Sequence, residues 1–351
     1  MRESIDKIID KLQRDRSLSL DEYEILIRDR DEHSRKRLQQ IAVAERVRCY
    51  GNSVYIRGLI EISNICKNDC LYCGIRRSNR ECERYRLTKE DILACCEEGY
   101  AIGFRTFVLQ GGEDPYYSDE VLCDIVGAIR SKYPDCAITL SMGERSKESY
   151  QRLYDAGADR YLLRHETASS EHYAKLHSEQ MSFQTRMRCL QDLKEIGFQT
   201  GCGFMVGSPH QTYANIAQDL KFIEEFKPQM CGIGPFIPHK STPFAGFEAG
   251  TVELTCYLLS IVRIIHPTVL LPATTALGSI EEGGREKGIL FGANVVMPNL
   301  SPDENRKKYE LYNNKLYTGA ESAKAKAELE ERIKAIGYEV VIQRGDAIKE
   351  N

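Results

Sequence analysis

From residue 53 onward the sequence repeats one unit: a short run of β-branched, aliphatic or aromatic residues, then a Gly/Ser/Asp/Pro-rich turn, then a charged amphipathic stretch. Parallel strands joined by crossover helices have this signature. Eight runs qualify, at 54–62, 106–110, 137–141, 160–164, 199–205, 230–234, 269–271 and 294–297. Roughly 250 residues for eight such units is the usual size of a closed barrel. The expected fold class is therefore α/β, a complete (β/α)8 TIM-type barrel. Thr88 with Asp91, and Ser118 with Val121, are helix-start signals behind two of the runs. Reactive groups in such a barrel gather at the carboxyl ends of the strands.

The flanks read differently. Residues 1–50 form an N-terminal helical extension, with Ser19 and Glu22 as a capping box. Residues 51–318 are the barrel, and 319–351 are a C-terminal helix and tail packed on it, with a helical pattern from Glu321 to Ile336. No low-complexity linker intervenes, which favours one domain with terminal extensions.

Composition narrows the function. Lys and Arg number 48 against 52 Asp and Glu, so no basic excess exists to bind phosphate backbones, and no nucleic-acid role is expected. Arg263 and Pro267 interrupt the most apolar stretch, around 258–271, so no membrane span is expected. The first residues, Met-Arg-Glu-Ser-Ile-Asp-Lys, contain no apolar segment of the signal type, which makes a cytoplasmic location the expectation. Thirteen cysteines, an odd number with Cys95 and Cys96 adjacent, do not form a secreted disulfide framework.

Cys66, Cys70 and Cys73 make a CxxxCxxC motif directly after the first run. Three sulfurs in so compact a loop can grip three corners of an iron–sulfur cube and leave the fourth iron open. A closed cluster or a structural zinc needs a fourth ligand. The next cysteine, Cys82, lies beyond Arg76, Arg77 and Arg80 with no paired motif, so a closed site remains the alternative that needs Cys82 or a distant His.

This loop, with an aromatic residue before its last cysteine, resembles that of the radical S-adenosylmethionine (AdoMet) enzymes. The resemblance implies that Cys66, Cys70 and Cys73 hold one 4Fe-4S cluster. It also implies that AdoMet chelates the open iron, and that one electron from the cluster breaks a sulfonium C–S bond to give a 5'-deoxyadenosyl radical. AdoMet carries an ammonium, a carboxylate and a sulfonium, so its site requires a carboxylate, a cation and close main-chain approach. Gly111 and Gly112 end the second run without Cβ atoms, and Glu113 beside them resembles the GGE element that receives the methionyl amine. Strand alternation sends Arg160, Leu162, Arg164 and Glu166 to one side, where buried charges require a partner or ligand. Ser141, Glu166 and Arg186 complete the AdoMet candidates, with a lesser packing role for the stretch from Gly203 to Gly207.

Beyond the loop, Leu163-Arg-His-Glu-Thr167, Gly232-Ile-Gly-Pro-Phe-Ile-Pro-His239, Pro272-Ala-Thr-Thr-Ala276, Gly284-Arg-Glu286 and Gly292-Ala-Asn-Val-Val-Met-Pro-Asn299 resemble the HydE family of FeFe-hydrogenase maturases. That family is similar in turn to biotin synthase and methylornithine synthase. The resemblance implies a substrate deep in the barrel: an Fe(II) cysteine complex bearing carbon monoxide and cyanide, supplied by the partner maturase HydG. The radical would attack the cysteine sulfur of that complex, and the product would pass to the scaffold HydF. An external electron donor is implied as well.

Arg160 and Arg164 suit such an anionic guest through forked hydrogen bonds. Thr274 and Thr275 offer hydroxyls, unless they serve as caps of the following helix. Tyr309 and Tyr312 offer phenols, and Met297 reads as packing. Two departures stand out. Gln110-Gly111-Gly112-Glu113 replaces the Gln-Ser-Gly-Glu common in the family, and 312–317 lacks the cysteines that hold a second cluster in some members, so no second cluster is expected. The competing functions are an amino-acid radical mutase of the methylornithine synthase type and a non-catalytic iron–sulfur scaffold.

Overall fold

The computed structural model describes residues 2–316 and 323–348. Tyr317, the boundary at 318/319 and the expected helix start at Glu321 lie outside them. Three helices come first, Arg2–Asp15, Leu20–Arg28 and Glu32–Tyr50. The capping box at Ser19 forms: its hydroxyl accepts the Glu22 amide at 3.2 Å, and the Glu22 carboxylate accepts the Ser19 amide at 2.8 Å. Asp31 caps the third helix in the same way. Leu20–Arg28 packs on the helix Tyr213–Phe226, and Glu32–Tyr50 packs on Val252–Ile265. Apart from Glu253, every residue of that last helix is buried, so its Leu and Ile side chains each add about 1.5–3 kcal/mol of apolar burial.

The strands are β1 (Ser53–Ile56), β2 (Gly58–Ser63), β3 (Thr106–Gly111), β4 (Ala137–Ser141), β5 (Arg160–Leu162), β6 (Gln199–Cys202), β7 (Met205–Val206), β8 (Met230–Cys231), β9 (Gly234–Pro235), β10 (Val295–Val296) and β11 (Glu339–Val341). Six of them form one parallel sheet in the order β2-β3-β4-β5-β6-β8. Helices Lys89–Ala101, Asp119–Lys132, Lys147–Asp155, Phe183–Ile196 and Tyr213–Phe226 follow in alternation. The first two start where the sequence indicated, Thr88 in a capping box with Asp91 and Ser118 accepting the Val121 amide.

Several expected strands are broken. The run 54–62 divides at Arg57 into β1 and β2. The run 199–205 divides at Gly203, whose φ of +148° breaks the extended path, and a Cβ there would meet the Gly232 carbonyl oxygen at 2.0 Å. The run 230–234 divides opposite it, at Gly232. The run 269–271 survives only as parallel bridges, Leu270 to Met230 and Pro272 to Val295. A further bridge joins Leu59 to Asn299. β11 pairs in parallel with β1, which the sequence had left unassigned.

Candidate radical AdoMet site

β2 ends at Ser63 and the chain enters the cysteine loop, where side chains rather than regular structure satisfy the backbone. The Arg84 guanidinium donates to four carbonyls, those of Asn64 (2.5 Å), Ile75 (2.8 Å), Arg76 (2.7 Å) and Asn79 (3.0 Å). Asp69 forks onto Arg76 with two bonds of 2.7 Å and also takes the Ser78 amide and hydroxyl. Partners of this kind are what lets an irregular segment stay ordered.

Cys66, Cys70 and Cys73 all line one cavity of about 380 Å³ at the carboxyl ends of the strands. Burial pushes all three thiols up, Cys73 to about 12, and each thiolate would further oppose its neighbours. A positive metal core removes that penalty by replacing the protons. Cys82 does not line the cavity; its sulfur takes the Asn64 amide at 3.5 Å. Among the described residues, no three His, Cys, Asp or Glu side chains converge as ligands of a single ion. Three soft sulfurs facing one cavity, with the nearest fourth turned away, fit a cluster with one open iron better than tetrahedral zinc.

The β3 end brings the glycines beside this loop. A Cβ on Gly112 would meet the Ile65 carbonyl oxygen at 2.3 Å and Cys66 Cβ at 2.8 Å. Its close approach is therefore to the cysteine loop, whereas the sequence had suggested approach to the ligand. Glu113 accepts the Glu144 amide at 3.0 Å and pairs with Lys67 at 3.1 Å. It lies across Gly143, where a Cβ would fall 2.1 Å from its Cγ. Ser141 ends β4 on the same cavity, and Met181, which the sequence did not single out, stands 3.5 Å from the Cys70 sulfur.

Glu166 sits at φ +65°, a strained position for a side chain of its size, and faces Arg164 at 3.2 Å. Arg186 is already engaged, paired with Glu144 at 2.5 Å and donating to the Arg164 carbonyl at 2.6 Å. Arg164 Nε and Thr274 Oγ1 are buried without a partner, while Arg164 Nη2 and Glu166 Oε2 have only each other, as an ion pair outside hydrogen-bond geometry; all three residues line the cavity. Thr274 holds the N-cap position of the helix Thr275–Ile280 yet makes no capping bond, so its hydroxyl is left for the cavity. Thr275, Tyr309, Tyr312 and Met297 line it too.

Arg160 does not. The alternation placed it correctly on the inner side but not at the right height. It is fully buried at the amino end of β5, where it bonds Thr106 Oγ1 (3.2 Å), the Arg344 carbonyl (2.8 Å) and the Asp346 carboxylate (2.7 Å) of the C-terminal segment. Its charge serves the packing of that segment, and the substrate role expected for it is withdrawn. The sequence also passed over Glu61 and Lys315, a buried ion pair in the cavity wall. Charges inside the apolar run 54–62 were the available signal.

The fold and the three-cysteine cavity define a radical AdoMet enzyme, and residues 60–223 match the radical SAM superfamily. More narrowly, the chain belongs to the HydE family: it is 44% identical over 310 residues to the [FeFe] hydrogenase maturase subunit HydE of Thermotoga maritima, covering 88% of either chain. It is also similar to 3-methylornithine synthase of Methanosarcina acetivorans, 29% identical and covering 86% of this chain and 85% of that one. The crystal structure of methylornithine synthase (PylB) superimposes with a TM-score of 0.82 at 25% identity, over 95% of this chain and 97% of that one.

Proposed function

We propose that this chain is a maturase of FeFe-hydrogenase assembly that cleaves AdoMet reductively and acts on the cysteine sulfur of an iron complex bearing carbon monoxide and cyanide. The observation that carries the reading is that Arg164 Nε and Thr274 Oγ1, buried without partners, and the Arg164–Glu166 ion pair belong to residues lining the same cavity as the three cysteines. Buried polar atoms without partners are rare unless a ligand completes them. When bound, a 4Fe-4S cluster and AdoMet supply one-electron cleavage of a C–S bond.

The chain's own groups do the rest. Glu113, fixed by the Glu144 amide, receives an ammonium. Ser141 and Glu166 would supply hydrogen bonds to the nucleoside end, and Arg186, held by Glu144, would be the cation offered to a carboxylate. Arg164 offers a fork and Thr274 and Thr275 offer hydroxyls to an anionic guest, and Tyr309 and Tyr312 wall it in. Leu59, Met205 and Phe236 keep the lining apolar, which strengthens each polar contact inside.

The same reading gives one cluster per chain, because no cysteine follows Cys256. It places HydG upstream, HydF downstream and an external electron donor alongside, in the cytoplasm. No helix among the described residues is long and apolar enough to cross a membrane. The bridges Met230–Leu270, Pro272–Val295 and Leu59–Asn299 support completion of the sheet to an eightfold barrel. That barrel would fill 51–318, between the helical extension 1–50 and the tail 319–351.

Anaerobically reconstituted protein with dithionite and AdoMet should release 5'-deoxyadenosine and methionine and contain roughly four irons. The iron–cysteine complex should accept the adenosyl group at sulfur. Seven or eight irons would refute the single cluster, and turnover of lysine at carbon would replace the maturase by a mutase. Cys70→Ala should lose the cleavage and keep the fold, since Arg84 and Asp69 hold the loop without it. Protein that binds cluster but not AdoMet would be a scaffold.

A further inference from the structure

The chain carries a net charge of −4, yet the segment 66–86 holds six basic side chains, Lys67, Arg76, Arg77, Arg80, Arg84 and Arg86, against Asp69, Glu81 and Glu83. Most of these charges are spoken for inside the loop. Arg76 is forked by Asp69, Arg84 holds carbonyls, Arg86 pairs with Asp114 and Lys67 with Glu113. Of the acids, Glu83 pairs with Lys308, and Glu81, which accepts the Ser241 hydroxyl at 2.6 Å, leaves one negative charge against the three cations that remain. Arg77 and Arg80 are left exposed, and among the described residues neither forms an ion pair. Lys240 is a third such cation, brought alongside by the Ser241–Glu81 bond and by its own amide on Asn313.

Arg77 and Arg80 follow Cys73, the last cysteine of the motif, and Lys240 is joined to the same stretch through the Ser241–Glu81 bond. The Arg77 amide bonds the carbonyl of Asn68, which lies between Cys66 and Cys70. Only three residues separate Cys73 from Arg77 along the chain. None of the three cations lines the cavity, so a partner seated on them would approach the cysteine loop without entering the substrate space.

We infer that Arg77, Arg80 and Lys240 form the docking surface for a small one-electron carrier protein with an acidic face. The inference rests on the proposed reductive cleavage, which consumes one electron per event that no side chain here can supply. In the step at this surface the carrier is oxidised by one electron and the cluster reduced by one, and no bond, proton or group is transferred. Charge complementarity of this kind chiefly raises the association rate and is screened by salt.

The test uses the reconstituted holoenzyme and an acidic flavodoxin. Binding of oxidised flavodoxin, read by calorimetry, and cluster reduction by its hydroquinone, read by stopped-flow absorbance, are measured at low and high salt for the wild type and for R77E/R80E and R77E/R80E/K240E. The expected result is binding weakened and reduction slowed at least tenfold at low salt, with the salt dependence flattened. AdoMet cleavage driven by dithionite should stay within twofold of wild type. Unchanged binding and reduction by flavodoxin would overturn the docking surface. A parallel loss with dithionite would also overturn it, because the arginines would then be holding the loop. Wild-type protein that fails to cleave AdoMet with dithionite would instead refute the radical reading, a separate failure visible in the control.

Discussion

Lys315 places its ammonium in direct contact with the carboxylate of Glu61, 254 positions earlier, and both side chains are buried in the wall of the cavity. Asn299 donates to the other Glu61 oxygen at 2.8 Å, and Lys315 also donates to the Tyr309 carbonyl at 2.8 Å. The pair thereby fastens the segment after β10 to the cavity wall. Leu311, whose carbonyl accepts the Gly74 amide at 2.9 Å, fastens the same segment to the cysteine loop.

Removing one member strands a buried charge, which typically costs about 3–5 kcal/mol. Lys315→Met and Glu61→Gln should each destabilise by that order in denaturant unfolding. The double variant should recover a large part of the loss, because no charge is then left alone. Additive losses would show that the two side chains act independently.

Gly111 and Gly112 should respond differently to alanine. At Gly112 the new methyl meets main chain, the Ile65 carbonyl oxygen at 2.3 Å, and something in the cysteine loop must move. At Gly111 the nearest atoms, Met142 Cε and the Ser63 oxygen, both stand at 3.2 Å, and the methionine can yield. Gly112→Ala should lose most of its iron on reconstitution with its far-UV spectrum intact, while Gly111→Ala should retain more than half. Equal iron content in both would separate Gly112 from the loop's geometry.

The contrast between Arg160 and Arg164 shows what the sequence could and could not tell. Alternation assigns a side chain to a face of a strand and says nothing about depth along the strand axis, so two arginines on one face landed at opposite ends of the sheet. The cysteines, Glu113 and Thr274 were legible because each sits at a strand end marked by local turn chemistry. Lys315 was not, because its partner is 254 positions away and its own surroundings in the sequence are polar. The break at Gly203 was hidden for a similar reason: the residue is held to glycine by the Gly232 main chain, 29 positions away, whose carbonyl oxygen would stand 2.0 Å from a Cβ.

Thr274 allows capping and ligand binding to be separated. Its hydroxyl makes no cap bond and faces the cavity, so Thr274→Val, which keeps the shape, should change stability by less than about 0.5 kcal/mol. A working cap would cost about 1 kcal/mol. The KM for the iron–cysteine substrate should rise several-fold, with AdoMet cleavage in the absence of substrate little changed. A stability loss without a KM change would return Thr274 to the helix.

His165 gives the fold a pH dependence of one sign, which its buried neighbour Asp219, pushed up by burial, opposes. It is fully buried, 4.6 Å from the Phe222 ring and 5.9 Å from Phe204, accepts the Gly203 amide at 3.2 Å and lies 3.4 Å from Asp219. Burial lowers its pKa from 6.5 to about 3, so the folded chain keeps the ring neutral where the unfolded chain protonates it. Between those values the unfolded state binds more protons, and stability is lost as pH falls below 6.5 while it is fully present above. Each pH unit inside the window corresponds to about 1.4 kcal/mol from this group. Asp219 opposes this slope and His177, lowered to about 3, adds to it, so the share of His165, about 2 kcal/mol between pH 7.5 and 5, is read as the difference in denaturant unfolding between the wild type and His165→Phe. His165→Phe, which suits the aromatic pocket, should be less stable at pH 7.5 for want of the Gly203 bond and should lose the slope contributed by the ring. A variant with an undiminished slope would assign the acid sensitivity to other groups.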